Sequence, residues 1–206
     1  MTLTLLGWRR DVAALYAAAR AAGDPETGWR TWRDGRDELF AGHPDSPLGE
    51  SARAAFTGLP YAGYDPALRF EAVLEPAGPR RLEVPTADDG TVPLDRIGTV
   101  TLGGQGHDHV GRLDVWWLGG YGGGVFLPLR DGTAGTTTYG GGRYLLDTIK
   151  GADLGGDGSR LVVDLNFAYH PSCTYDPGWS CPLAPEGNRV PTPVAAGEQL
   201  PPGGWY

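Results

Sequence analysis

"GLPYAGYDPALRFEAVLE", Gly58 to Glu75, is where the chain changes its period. In its second half Leu68, Phe70, Ala72 and Leu74 alternate with Arg69 and Glu71, the two-residue repeat of a half-buried strand. Upstream of it the repeat is helical. In "LLGWRRDVAALYAAARAAG", Leu5, Trp8, Val12, Leu15 and Ala19 fall three or four apart and form one apolar face, with Gly23 as its stop. Asp24 then reads as an N-cap and Pro25 as the first residue of a second helix, along which Trp29, Trp32, Arg36 and Leu39 recur. Ser46-Pro47 reads as the cap of a short third helix over 48–56, closed by Gly58.

Downstream, "RLEVPT", "RIGTVTLGG", "RLDVWWLGG", "GGVFLPLRD", "RYLLDTI" and "RLVVDLNF" are short runs bounded by Gly, Pro or Asp. They have the spacing of antiparallel strands. "PTADDGTVPL" reads as a hairpin whose Asp89-Gly90 suits a type I′ turn. Strands and helices do not alternate, so a parallel sheet is excluded. The expected fold is mainly β (α+β): an antiparallel β-sandwich or barrel-like domain with an N-terminal helical segment and a long C-terminal coil. It forms one domain over 1–206, with helices in 1–58 packed on a β-rich core, 59–169. A Pro-rich coil, 170–206, then covers a pocket.

The chain has 206 residues and a formal net charge of -8, which argues against the basic face that nucleic-acid binding needs. No apolar run approaches the roughly 20 residues of a membrane helix, and the first residues do not have the pattern of a secretory signal. A cytoplasmic location follows as the expectation, with Cys173 and Cys181 as reduced thiols.

Several motifs invite a specific chemistry. "TYGGGRYLL" places three glycines before Arg143, but it lacks the Lys-Ser/Thr ending of a phosphate loop. A turn between strands is the plainer reading, and Arg143 either pairs with a carboxylate or faces an anionic ligand. "GGYGGGVF" reads as a flexible hairpin. "HDH" sets His107 and His109 two apart, a chelating spacing, yet surface histidines in a loop are the plainer account. No cofactor fingerprint and no complete metal-ligand set is present.

The densest stretch is "DLNFAYHPSCTYDPGWSCPLAPEGNRV", Asp164 to Val190, which holds both cysteines of the chain. Asp164 and Asn166 share a face if the strand continues, with Tyr169 following as it gives way to coil. Seven residues separate Cys173 from Cys181, which is neither a redox CxxC nor a zinc-knuckle spacing, and His170 is the nearest further metal ligand.

In their order, "WRDGRDELFAGHPDSPL", "FTGLPY", "TYGGGRYLL", "DLNFAYHPSCTY", "CPLAPEGNRV" and "AAGE" resemble the bacterial and archaeal family called domain of unknown function 1684. The resemblance runs from about Trp29 to Glu198. The family pattern near "DFNxAYNPxCAY…CPLPPxEN" is departed from at His170, Thr174, Ala184 and Gly187. The family implies no established activity.

Tyr139, Arg143, Asn166, Tyr169, Cys173, Cys181, Asn188 and Glu198 are the candidate pocket residues. Their cation, carboxylate, amides and phenols suit a small polar or anionic molecule. One expectation is a hydrolase-type enzyme. In it Arg143 binds the anion, Asn166 and Asn188 orient a carbonyl, Glu198 or Tyr169 handles the proton and Cys173 is the nucleophile. The others are a non-catalytic binding module and a purely structural polar cluster.

Overall fold

The computed structural model describes residues 3–86, 90–104 and 107–205. Helices α1 (Leu3–Ala21) and α2 (Pro25–Gly42) form a hairpin. Asp24 caps α2 as its spacing predicts: Oδ1 accepts the Thr27 N–H at 2.9 Å. The two helices approach closely where α2 carries glycine. A Cβ on Gly28 would lie 2.6 Å from the Ala19 carbonyl oxygen, and one on Gly35 would lie 2.2 Å from Leu15 Cδ2. The buried stripe of α2 is Trp29, Trp32, Arg36 and Phe40, so Phe40 and not Leu39 completes the repeat.

The third helix is shorter than its sequence suggests. α3 spans Glu50–Ala54 behind Gly49, with no side-chain cap. Ser46 instead donates to the Phe40 carbonyl oxygen at 2.7 Å, tying the loop to the end of α2.

A five-stranded antiparallel sheet runs β2 (Arg81–Thr86), β3 (Gly90–Gly104), β4 (His107–Leu118), β5 (Gly124–Leu129), β6 (Arg143–Asp147) in spatial order. β1 (Arg69–Val73) and β7 (Arg160–Asp164) form a second antiparallel pair. Single bridges, Glu75 with Thr99 and Tyr144 with Tyr169, stitch this pair to β3 and β6 without closing a continuous barrel. The inner faces of both sheets meet in one core, which includes Ala72, Val100, Leu113, Val115, Leu127, Leu145 and Val163. The sequence runs "GTVPL" and "RIGTVTLGG" are one strand, β3, with a bulge at Arg96/Gly98. Only glycine fits at 98, because a Cβ would stand 2.7 Å from the Glu75 carbonyl oxygen at the seam.

The turn expected at Asp89-Gly90 lies, at Asp89, outside the described residues, as do the side chains of His107 and Asp108; His109 is exposed. Among the described residues no helix is long and apolar enough to cross a membrane.

The C-terminal coil is fastened along its length. Val190 N–H donates to the Arg130 carbonyl (2.9 Å), Glu198 N–H to Ala168 (2.8 Å), Gln199 N–H to Pro60 (2.8 Å) and Leu200 N–H to Thr137 (2.9 Å). These bonds replace the ladder that its prolines forbid.

Candidate functional site

β7 ends at Asp164, and a 3₁₀ turn over Leu165–Phe167 follows. Asp164 and Asn166 therefore do not continue along one strand face, but they still meet. Asn166 Nδ2 donates to Asp164 Oδ1 (2.8 Å) and to the Asp65 carbonyl (2.8 Å), while its Oδ1 accepts the Asp65 N–H (2.9 Å). Every polar atom of this buried amide is used to fix the loop before β1. Burial pushes the Asp164 carboxyl up, against the bonds from Asn166 and the Arg69 charge that favour its ionised form.

Asn188 is spent in the same way at a different place. Its Oδ1 accepts Trp116 Nε1–H (2.7 Å), and Nδ2 donates to the carbonyls of Asp114 (2.7 Å) and Pro128 (2.9 Å). It pins the coil against β4 and β5. Neither amide is left with a free donor for a ligand.

Arg143 is 1% exposed. Its guanidinium donates to Asp131 Oδ2 and to the carbonyls of Ala196, Glu198 (3.2 Å) and Val194 (3.2 Å). Asp131 Oδ1 is itself taken by the N–H and hydroxyl of Thr133. The carboxylate that holds Arg143 is thus Asp131. Burial lowers the Arg143 pKa, and Asp131 offsets part of that pull. The group acts as a strap across the coil at 194–198.

Glu198 lies at the centre of a second buried network. Oε2 accepts from Arg36 (2.9 Å) and from the His170 backbone N–H (3.1 Å); Oε1 accepts the Tyr175 hydroxyl. Arg36 also donates Nε–H to the Tyr61 hydroxyl (2.8 Å). Its guanidinium carbon sits 5.1 Å from the Trp32 ring centre, 5.0 Å from Phe40 and 5.1 Å from Tyr169, an aromatic cage. Burial alone would raise the Glu198 carboxyl, but Arg36, His170 and Tyr175 outweigh it and hold it below the usual value. His170 Nε2 accepts the Tyr139 N–H (3.2 Å), which assigns the ring proton to Nδ1, 3.4 Å from Glu198 Oε1.

On the other side of this network lies a cavity of about 420 Å³. Its floor comes from Trp8, Val12 and Tyr16 of α1 and Arg36 and Phe40 of α2; its roof is Pro171, Ser172, Tyr175 and Gly178 to Cys181. Tyr144, Tyr169 and His170 form the inner wall, while Arg9, Asp45 and Lys150 bring charges to it. Burial pushes the phenols of Tyr16, Tyr144, Tyr169 and Tyr175 well above their usual range, so they are hydrogen-bonding groups and not bases at neutral pH.

Cys173 and Cys181 are free thiols, and Cys181 lies in the roof. Cys173 donates to the Tyr139 hydroxyl (3.7 Å) and its thiol is pushed up, chiefly by its hydrogen bond to Cys181 and then by burial. The same bond favours the Cys181 thiolate and, against the cost of burial, brings that thiol down to about 6. Among the described residues no group of three or more His, Cys, Asp or Glu is placed to hold a metal ion.

Of the eight residues singled out in the sequence, Tyr169 and Cys181 line the cavity. Tyr139, Cys173 and Glu198 stand directly behind it, and Arg143, Asn166 and Asn188 hold the surrounding backbone. Sequence reasoning missed Arg36, Tyr16, Tyr175 and Lys150. Arg36 did carry a signal: a charge on a tryptophan stripe needs a buried partner.

The sequence model of a family described as "Protein of unknown function (DUF1684)" matches residues 54–199. The solution NMR structure of an uncharacterized protein from Haloarcula marismortui is similar to this chain, with 35% sequence identity and a TM-score of 0.58; the match covers 85% of this chain and 94% of that one. No curated protein matches.

Proposed function

The chain belongs to the family described as protein of unknown function (DUF1684), and from that premise we propose that it is a small-molecule-binding module for a ligand with a flat apolar body and one anionic group. The observation that carries the reading is the composition of the cavity wall. Trp8, Val12, Phe40 and Tyr169 offer apolar and aromatic surface. Arg9, Lys150 and Asp45 are the charged groups among the lining residues besides Arg36; Lys150 Nζ lies 3.4 Å from Asp147 Oδ2, and the charge of Arg36 is compensated by Glu198. Arg9 and Lys150 are the groups that would meet an anion, and the phenol and imidazole groups supply orientation.

Binding is favoured over hydrolysis by what the polar groups already do. Arg143, Asn166, Asn188 and Glu198 spend their hydrogen bonds within the protein. A reacting group needs an unspent lone pair or proton within reach of a substrate.

A thermal-shift screen of aromatic carboxylates, sulfonates and neutral isosteres tests this. Anions should raise the melting temperature, isosteres should do so less, and Arg9→Ala/Lys150→Ala should remove the difference. Equal response to anions and isosteres, or none to either, contradicts the reading.

A further inference from the structure

Tyr16, Tyr144, Tyr169 and Tyr175 all line the cavity, yet their hydroxyls are used differently. Tyr144 donates to the Pro182 carbonyl (2.6 Å) and Tyr175 to Glu198 Oε1. Tyr16 is the one buried residue of α1, 1% exposed, and its hydroxyl has no hydrogen-bond partner among the described residues. Its ring stands edge-on to Trp32, with centres 5.8 Å apart, and 6.2 Å from the ring of Phe167. The Trp32 indole is a donor only, so it offers nothing to the Tyr16 proton. Tyr169 packs its ring 5.1 Å from the Arg36 guanidinium carbon, and its hydroxyl likewise makes no hydrogen bond among the described residues.

Resting on the reading of this cavity as a site for a flat anion, we propose that Tyr16 determines which anion it takes. Its hydroxyl donates to a neutral carbonyl oxygen on the ligand, and the Tyr169 hydroxyl is the second donor to that oxygen. The ligand class narrows to an aromatic carboxylate that also carries a ketone or aldehyde at the end away from its anionic group. The two ends of the cavity set that order: Arg9 and Lys150 are exposed, whereas Tyr16 is buried.

A buried hydroxyl without an acceptor is costly, and a ligand that brings one recovers that cost on binding. A ligand of the same shape without the oxygen leaves the hydroxyl unpaired, which is how such a site discriminates. The acceptor is a neutral one because Arg36 is already paired with Glu198 at 2.9 Å, and the negative charges that bear on the Tyr16 hydroxyl are those of Asp147 and Glu198. A carboxylate placed at that end would meet both of them. Burial keeps the Tyr16 phenol protonated, and so a donor, across the neutral range.

Calorimetric titration with para-acetylbenzoate and para-isopropylbenzoate, alike in shape and charge but differing in the carbonyl, tests this. The wild type should bind the acetyl acid about tenfold more tightly, and Tyr16→Phe should bring the two within about twofold by weakening the acetyl acid alone. Without ligand, Tyr16→Phe should unfold at the same or a higher urea concentration than the wild type, since it deletes an unpaired hydroxyl. Equal affinity of the wild type for the two acids, or a ratio that survives in Tyr16→Phe, overturns the role of Tyr16 and leaves the cavity standing as a site. A loss of stability in ligand-free Tyr16→Phe also overturns it, by showing that the hydroxyl is needed by the fold. Binding of neither acid overturns the reading of the cavity and this inference with it.

Discussion

Arg36 and Glu198 hold opposite charges where neither keeps its hydration: their side chains are 9% and 0% exposed. Such a pair contributes little net stability when intact, but leaving one member alone costs about 3–5 kcal/mol. Glu198→Ala should therefore lower the unfolding free energy by about that amount in urea titration, through stranding Arg36, His170 N–H and Tyr175. The same group makes an acid prediction. Its folded pKa lies below the ordinary value of 4.5, so its stabilisation is complete above about pH 4.5 and is lost as pH falls through the folded value. Glu198→Gln should flatten that part of the acid limb of a stability-against-pH curve; an unchanged limb would show that the carboxylate is not what titrates. Arg143 belongs to the same class of group. Arg143→Lys keeps the charge but not the fork that reaches Asp131 and the carbonyls of the coil, and should cost about 1–3 kcal/mol. Its melting temperature should fall while any ligand-induced shift survives.

At the scale of elements, the α1–α2 hairpin depends on two glycines of unequal strictness. The atom facing a Cβ at Gly28 is the Ala19 backbone carbonyl, at 2.6 Å, which moves only with the helix. At Gly35 the nearest atom is the end of the Leu15 side chain, which can take another rotamer. Alanine gains up to about 1 kcal/mol in helix propensity at either position. Gly35→Ala should accordingly be near neutral, whereas Gly28→Ala should lose about 1–3 kcal/mol through overpacking, measured by urea unfolding. Equal effects at the two positions would mean that the interface is looser than described.

These elements also show what was legible. The helices and most strands could be read because period and burial coincide along them; the cap at Asp24 is local chemistry in adjacent residues. β3 was read as two pieces because Pro93 and Gly98 interrupt its pattern, yet Pro93 pairs with Glu83 and Gly98 marks the bulge against Glu75. α3 was read too long because Ser46 looks like a cap, while its hydroxyl is used by the Phe40 carbonyl. The roof of the cavity stood out through its rare side chains. Its floor did not, since Trp8, Val12 and Phe40 have the spacing of ordinary core. Asp131, in the turn "RDGT", resembles any turn aspartate until the fold brings Arg143 to it.

At the scale of the molecule, two sheets provide a body against which a helical hairpin and the C-terminal coil meet. The buried ion pairs sit where these parts meet: Arg143, held by Asp131, ties the coil to the strand body through the carbonyls of Val194, Ala196 and Glu198, and Arg36 with Glu198 ties coil to helix. Between helix and coil the surfaces do not pack completely, and the space left over has aromatic walls with Arg9 and Lys150 among its lining residues. The central claim is that this space is a binding site. A two-dimensional ¹⁵N–¹H NMR titration of the uniformly labelled protein with aromatic carboxylates tests it most directly. The account predicts saturable shifts clustered in the lining faces of α1 and α2 and in residues 169–181, with the outer surface of β2 to β4 unmoved; shifts confined to that outer surface, or none at millimolar ligand, would contradict it.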